Sequence, residues 1–554
     1  MLRSSKGTAR SGMVGAVLVV LFAAGSARAV VFVAGSARAG VGRQEQSKLI
    51  AGDGAAYDYF GYCVSINGDY AVAGAPYDDD RGADIGSAYI FKFDGADWNQ
   101  QAKIRASDGA AGDGFGCAVC VSGDYAIVGA PCDDDRGADA GSVYIFRHSG
   151  ESWIQQLKIT VPDGAAEDFF GRAVSISGDW AIVGAHYDDD RGEASGSAYV
   201  FKRSGASWLQ QAKLIAADAN AYDEFGCSVS ICGDHVIVGA IRGDNNVNDC
   251  GCAYVFKLNG TTWTQEAKLI APDAAEGDKF GCSVSIGEDL AVVGAIGNDP
   301  TNRESRGAAY IFRHQGASWL QDAKLTASDC SPFDEFGKSV AIGADRAVVG
   351  AHYDDDKGRQ SGAAYVFKYD ETGWLEQAKL TASDGSIYDQ FGASVSISGD
   401  YAVVGAAYND DKGSNSGSAY IFGRACPQAD LSGDCGVDFV DFALIAPRWR
   451  QTGCDLAYWC SGADIDHSSR VNWVDFAGFA RRWQAVCAGP GWCNGADTNK
   501  SGRVDSMDLS MIAAHWLDGR CDRRWCDGAD LSRSGSVNWD DVDVFAEQWL
   551  QCGR

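Results

Sequence analysis

Apolar and polar positions along this chain repeat on a long period. Short runs rich in Val, Ile, Tyr and Phe alternate with turns bearing Gly and Asp, which is a strand pattern rather than a helical one. In the first full copy, Val64-Ser65-Ile66 predicts a short strand that meets a Gly68-Asp69 turn. An apolar strand follows from Tyr70 to Ala75. The acidic loop Asp78-Asp79-Asp80-Arg81-Gly82 then leads to a third strand over Ser87 to Lys92. After a turn at Gly95, a fourth strand runs from Trp98 to Ile104.

The pair Phe-Gly marks each copy: Phe60-Gly61, Phe115-Gly116, Phe170-Gly171, Phe225-Gly226, Phe280-Gly281, Phe336-Gly337 and Phe391-Gly392, spaced by 55 residues with one step of 56. Four strands per unit, repeated radially, describe the blade of a β-propeller. The third-strand signature occurs seven times, the last at Ala419-Tyr420-Ile421-Phe422. A fourth strand follows only six of them, from Trp98, Trp153, Trp208, Trp263, Trp319 and Trp374. The missing copy stands at the other end, where Gln46-Ser47-Lys48-Leu49-Ile50 matches Gln211-Ala212-Lys213-Leu214-Ile215. The pattern predicts an all-β, seven-bladed propeller over residues 43–424. Its first strand completes the last blade, so the ring closes without leaving a sheet edge.

These Phe-Gly pairs, with the Gly-Ala strand ends and the fuller Gly74-Ala75-Pro76 and Gly129-Ala130-Pro131, resemble FG-GAP repeats, the units of integrin alpha-chain propellers and of many bacterial surface proteins. Integrin-type blades often hold calcium in an Asp-rich loop between the first two strands. Here that link is a tight turn (Gly68-Asp69, Gly123-Asp124, Gly178-Asp179), too short for a cage of six to eight oxygens, so that site is not carried over.

Alternation along antiparallel blades predicts where the remaining acid lies. The Asp triplets Asp78–Asp80, Asp133–Asp135, Asp188–Asp190 and Asp354–Asp356 fall between second and third strands. Stretches such as Asp53 and Asp58, or Asp108 and Asp113, fall between blades. Both sets should crowd one face. Two readings follow: a face that binds a cation or ligand, or solvated turns whose Asp residues pair partly with Arg81, Arg136, Arg191 or Lys357.

Charge and the chain start refine the class. With 47 basic and 75 acidic residues, the formal charge of −28 opposes binding to phosphate backbones. Residues 1–39 read as a secretory signal. Arg3, Lys6 and Arg10 precede the apolar run Met13–Ala24, and Ala27-Arg28-Ala29 and Ala37-Arg38-Ala39 are small-x-small cleavage sites. Removing this segment leaves 42 basic against 75 acidic residues, a charge near −33. Export predicts a secreted or cell-surface protein with no membrane span after cleavage, and permits disulfides among the 19 cysteines.

After Phe422 the period shortens to 33–34 residues. Four segments place oxygen-bearing residues at loop positions 1, 3, 5, 9 and 12. They are Asp430, Ser432, Asp434, Asp438, Asp441; Asp464, Asp466, Ser468, Asn472, Asp475; Asp497, Asn499, Ser501, Asp505, Asp508; and Asp530, Ser532, Ser534, Asn538, Asp541. That spacing wraps a hard cation, and calcium is the expected cofactor. An aliphatic residue (Val437, Val471, Val504, Val537) would pin each loop. A helix should follow each, with Phe442, Ile445, Trp449 and their counterparts, ending in Trp483, Trp516 and Trp549, on one face. Pro447 should kink the first. These units resemble dockerin type I repeats, a small helical calcium-loop domain over residues 425–554. The resemblance implies docking to a cohesin-like partner, although the family's Ser/Thr recognition pair is replaced by Phe439-Val440, Trp473-Val474, Ser506-Met507 and Trp539-Asp540.

The tail cysteines recur in register, and spacing favours bridges Cys454–Cys460, Cys487–Cys493 and Cys521–Cys526 with a Cys426–Cys552 clasp. In the propeller, Cys117, Cys227 and Cys282 share a blade position and read as small buried thiols. His186 and His352 share one repeat position, and His148 and His314 another, which points to structure. No nucleophile elbow with a plausible His, HExxH or Walker motif occurs. The expectation is a non-catalytic adhesion or scaffolding protein with an unknown ligand on the propeller face. The alternative is a propeller hydrolase acting on extracellular polysaccharide or phospholipid, held in an assembly by its tail.

Overall fold

The computed structural model describes residues 43–424 apart from positions 96, 151, 245–246, 300–303, 317 and 371, together with the short strands Gln484–Val486 and Arg503–Asp505. The signal segment 1–39, the four acidic loops with their helices, and the tail cysteine pairs lie outside the described residues. Of those loops only the backbone of Arg503–Asp505 is described, and it pairs antiparallel with Gln484–Val486.

Residues 43–424 form seven four-stranded antiparallel sheets. Blade 1 consists of Val64–Asn67, Tyr70–Ala75, Ser87–Phe93 and Trp98–Ile104, in that order from the inside outwards. The five blades that follow keep this order. Blade 7 takes Ser394–Ser398, Tyr401–Ala406 and Ser418–Arg424, and its outer strand is Arg43–Leu49 from the start of the ring. The register Leu49↔Ala419, Lys48↔Tyr420 and Ser47↔Ile421 is the pairing that the repeat count predicts.

Each blade carries the same bulge on its outer strand. Gln101 is the extra residue in blade 1, where Ala102 pairs Ile90 and Gln100 pairs Phe91. The bulge turns the outer strand and aims one polar side chain at the next blade. The Gln101 carbonyl, for instance, accepts from Trp153 Nε1 at 3.0 Å.

The marker residues have separate jobs. Phe60 is fully buried and meets Tyr89 and Phe91 edge-on at 5.3 and 5.9 Å, an arrangement repeated in every blade. The glycines let neighbouring blades touch backbone to backbone. A Cβ on Gly74 would lie 1.9 Å from the Gly116 carbonyl of the next blade, and one on Gly116 (φ +99°) 2.3 Å from the Ser87 carbonyl. The Gly-Ala strand end and the Phe-Gly pair are therefore two halves of one contact.

Inner strands of adjacent blades are joined mainly through side chains. Ser65 Oγ accepts from Val121 N–H at 3.1 Å, Ser230 Oγ from Ile286 N–H at 3.2 Å, and Ser394 Oγ from Val64 N–H at 2.9 Å. This accounts for the alternating serines of the first strands: each satisfies a backbone donor that no sheet partner reaches.

Candidate functional site

The two acidic loop sets do share a face, and they meet on lysines. Lys103, in the outer strand of blade 1, reaches Asp53 at 2.8 Å, Asp78 at 2.5 Å and Asp80 at 2.6 Å. Lys158 repeats this with Asp108, Asp133 and Asp135 at 3.0, 2.7 and 2.6 Å. Lys213 does so with Asp163, Asp188 and Asp190, and Lys379 with Asp329, Asp354 and Asp356. In blade 7, Lys48 pairs with Asp384 and Asp411. Blades 4 and 5 keep a thinner version. Lys268 binds Asp218 and the Asp244 carbonyl, and Lys324 binds Asp273 and Asn298 Oδ1.

A tyrosine completes each set. Tyr89 donates to Asp78 at 2.8 Å, and Lys103 Nζ stands 5.0 Å from its ring centre. Burial pushes the Asp53 carboxyl up, but hydrogen bonds from Lys103 and Tyr89 outweigh it and hold that carboxyl below its ordinary range. The ammonium thus occupies the centre of the carboxylate cluster, where a bound cation would otherwise sit.

The expected pairing with Arg81, Arg136, Arg191 or Lys357 is corrected by this arrangement. Those four side chains are exposed, and Arg136 Nε donates to Thr160 Oγ1 at 3.3 Å. Loop side chains point to solvent, whereas the outer-strand lysine reaches over the loop from behind. The repeated Gln-x-Ala-Lys string was the sequence signal for it.

A second acidic ring is buried. Asp58, Asp168 and Asp334 accept the backbone N–H three residues earlier, from Ala55, Ala165 and Ser331. Burial pushes each carboxyl up to about 6.

Between these loops and the inner strands lies the central channel, a cavity of about 510 Å³. The residue after each Phe-Gly lines it: Tyr62, Cys117, Arg172, Cys227, Cys282, Lys338, with Ala393 beside it. Here the seven copies diverge in chemistry. Arg172 Nη1 lies 3.0 Å from Cys117 Sγ. Burial pushes the Cys227 thiol up to about 12 and the Cys282 thiol to about 11. Cys117, Cys227 and Cys282 are thus partly buried thiols in the channel wall, and none of the three is in a disulfide. His186 and His352 pack beside this entrance against Tyr187 (4.1 Å) and Tyr353 (3.8 Å). Burial pushes them down to about 4 and about 3, with Arg172 and Lys338 adding to the effect, so both are neutral at pH 7.

Aromatic side chains crowd this end of the ring. Tyr59 meets Tyr77 at 5.2 Å and Tyr408 at 5.1 Å. Farther along the same blade-to-blade loops, Tyr57, Tyr222, Phe333 and Tyr388 are 45–60% exposed and hold φ between 68° and 72°. A bulky residue in that region is strained. An inter-blade bond holds it there: Tyr57 N–H donates to the Ser414 carbonyl at 2.7 Å, and Tyr222 N–H to that of Glu193 at 2.7 Å. These aromatics are not evident from sequence pattern alone. Their signal was a large side chain where two other copies carry Gly112 and Gly277, both also at positive φ.

The FG-GAP repeat profile matches residues 44–91, 98–146, 153–201, 208–256, 263–312, 319–367 and 374–422, well over half of the chain. The chain belongs to the FG-GAP repeat family. Each matched stretch of this FG-GAP propeller begins on the outer strand of one blade and ends on the third strand of the next, the same offset that closes the ring. No curated protein sequence matches the chain. Among solved structures, a chain of the "Crystal Structure of Mitotic Checkpoint Complex" aligns with a TM-score of 0.41 at 13% identity, over 72% of this chain and 99% of that one.

Proposed function

We propose that this chain is a secreted, non-catalytic adhesion or scaffolding protein that binds an extracellular ligand on the aromatic face around the channel mouth. One observation carries the reading. In four blades the first and third carboxylates of the Asp triplet are bound to an internal lysine, while bulky aromatics on the same face are held exposed at a conformational cost. Exposed aromatics offer binding area at little entropic expense. FG-GAP repeats are typical of extracellular and cell-surface proteins, in keeping with the export signal of residues 1–39. The tail over residues 425–554 would hold calcium in its four loops and dock a cohesin-like protein partner. The test is a panel of extracellular polysaccharides and matrix proteins, probed with the full chain and with a Tyr57→Ala, Tyr222→Ala, Phe333→Ala, Tyr388→Ala variant. Saturable binding lost in the variant supports the reading; equal binding by both chains contradicts it.

A further inference from the structure

The opposite face, where the strand-to-strand turns lie, holds a cluster that breaks the sevenfold repeat. His235 opens the second strand of blade 4, Glu266 is the bulge residue of its outer strand, and His314 lies near the end of the third strand of blade 5. Their donor atoms all lie within 4.8 Å of one another. His235 Nε2 stands 3.5 Å from Glu266 Oε2, and His314 Nε2 stands 3.6 Å from Glu266 Oε1. Both nitrogens are sealed from solvent and lack a hydrogen-bond partner among the described residues, and His235 is only 6% exposed.

Equivalent positions elsewhere explain why this is unusual. At the blade 1–2 boundary they are Tyr70, Gln101 and His148, whose polar atoms approach one another at 3.5 Å with no carboxylate among the three. The blade 4–5 boundary replaces tyrosine by imidazole and amide by carboxylate. His235 Nδ1 faces the Asp234 carboxylate at 2.8 Å, which holds the ring with Nε2 directed at Glu266. An imidazole nitrogen and a carboxylate oxygen at this distance need a proton or a metal cation between them. The two rings lie 5.2 Å apart, with Asp234 and Glu266 as their carboxylates and Lys257 Nζ 3.9 Å from Glu266. A divalent ion bound by two neutral imidazoles and one carboxylate carries the same charge as two imidazoliums but gathers it at one point that all three donors face.

We propose that His235, Glu266 and His314 bind a zinc-type divalent cation that staples blade 4 to blade 5. A tetrahedral zinc roughly 2.0–2.1 Å from each donor sets donors about 3.3–3.4 Å apart; here His235 stands 3.5 Å from one Glu266 oxygen and His314 3.6 Å from the other. Two nitrogens and one oxygen suit zinc better than calcium. Asp234 is a positioning residue that holds the His235 ring, and Trp319 Nε1, donating to Glu266 Oε2 at 3.0 Å, orients the carboxylate. Three protein donors leave one position of a tetrahedral ion open, and the role proposed for the ion is to join the two blades.

The test uses the full chain, stripped with chelator and titrated with zinc chloride against a chromophoric competitor. Glu266→Gln and His235→Tyr install residues that the blade 1–2 boundary already tolerates, and circular dichroism checks their folding. Any zinc held by tail or channel thiols is common to all the chains and cancels. The parent should bind one zinc equivalent more than either variant, and zinc should raise its thermal midpoint. Asp234→Asn should weaken that equivalent by roughly 10–100-fold. Cobalt in the same site should add visible absorption without the near-ultraviolet band of thiolate ligation. Equal zinc stoichiometry in parent and folded variants overturns the proposal, as does a parent-specific equivalent carrying the thiolate band.

Discussion

Lys379→Met asks whether the ammonium is the internal cation of its blade. In the parent, Nζ lies 2.8 Å from Asp329, 2.7 Å from Asp354 and 2.5 Å from Asp356. Only the Asp354 side chain is buried, at 4% exposure, against 41% and 62% for the others. Stripping a buried charge of its partner costs about 3–5 kcal/mol. The two exposed pairs add about 0–1 kcal/mol each. Tyr365, donating to Asp354 at 2.9 Å, and the Asp356 N–H at 3.0 Å remain and offset part of the loss. A destabilisation of about 3 kcal/mol follows, read as a lower midpoint in guanidinium unfolding at pH 7. The vacated cluster should then take calcium. At ten times its dissociation constant, calcium should restore about 1.4 kcal/mol in the variant beyond any effect on the parent. Lys379→Arg should stay near the parent. If the Met variant unfolds with the parent and gains no calcium response, the lysine is not the internal cation.

Other outcomes can be checked with the same unfolding assay. Gly74→Ala forces a Cβ against the Gly116 carbonyl and should cost about 3 kcal/mol, at the upper end for overpacking. His352 is held neutral down to about 3, so the native state binds fewer protons than the unfolded chain from about pH 6.5 downwards. Stability should fall as pH drops through that window, and His352→Phe should flatten this slope between pH 6.5 and 4. Asp168 behaves oppositely. Its carboxyl, raised to about 6 by burial, makes the native state the better proton binder between about pH 4 and 6. Its contribution therefore declines as pH rises through that range, and Asp168→Asn should gain about 1 kcal/mol at pH 7. Deleting residues 43–49 exposes the edge of Ser418–Arg424 and should lower the midpoint and promote aggregation.

The fold was legible because its causes are local and repeated. Phe-Gly spacing, Gly turns and alternating strands each recur seven times, and the displaced Gln46–Ile50 string revealed the closure. The site was less legible because its decisive contacts join residues about 25 and 50 positions apart. Lys103 reads as one more charged strand residue until Asp53 and Asp78 fold against it. The strained aromatics are hard to see because Tyr57 or Phe333 alone gives no sign of positive φ, which shows only against Gly112 and Gly277 of other copies. His314 was set aside because His148 shares its position. What differs is its surroundings: His235 and Glu266 belong to the neighbouring blade.

The central proposal is a propeller face that binds its ligand without catalytic action. The direct measurement incubates the full chain with a captured extracellular ligand and recovers that ligand for mass spectrometry. The account predicts saturable binding that falls in the Tyr57, Tyr222, Phe333, Tyr388 alanine variant, with the ligand recovered chemically unchanged. A ligand returned cleaved, with the cleavage abolished by substituting one propeller carboxylate, would contradict it.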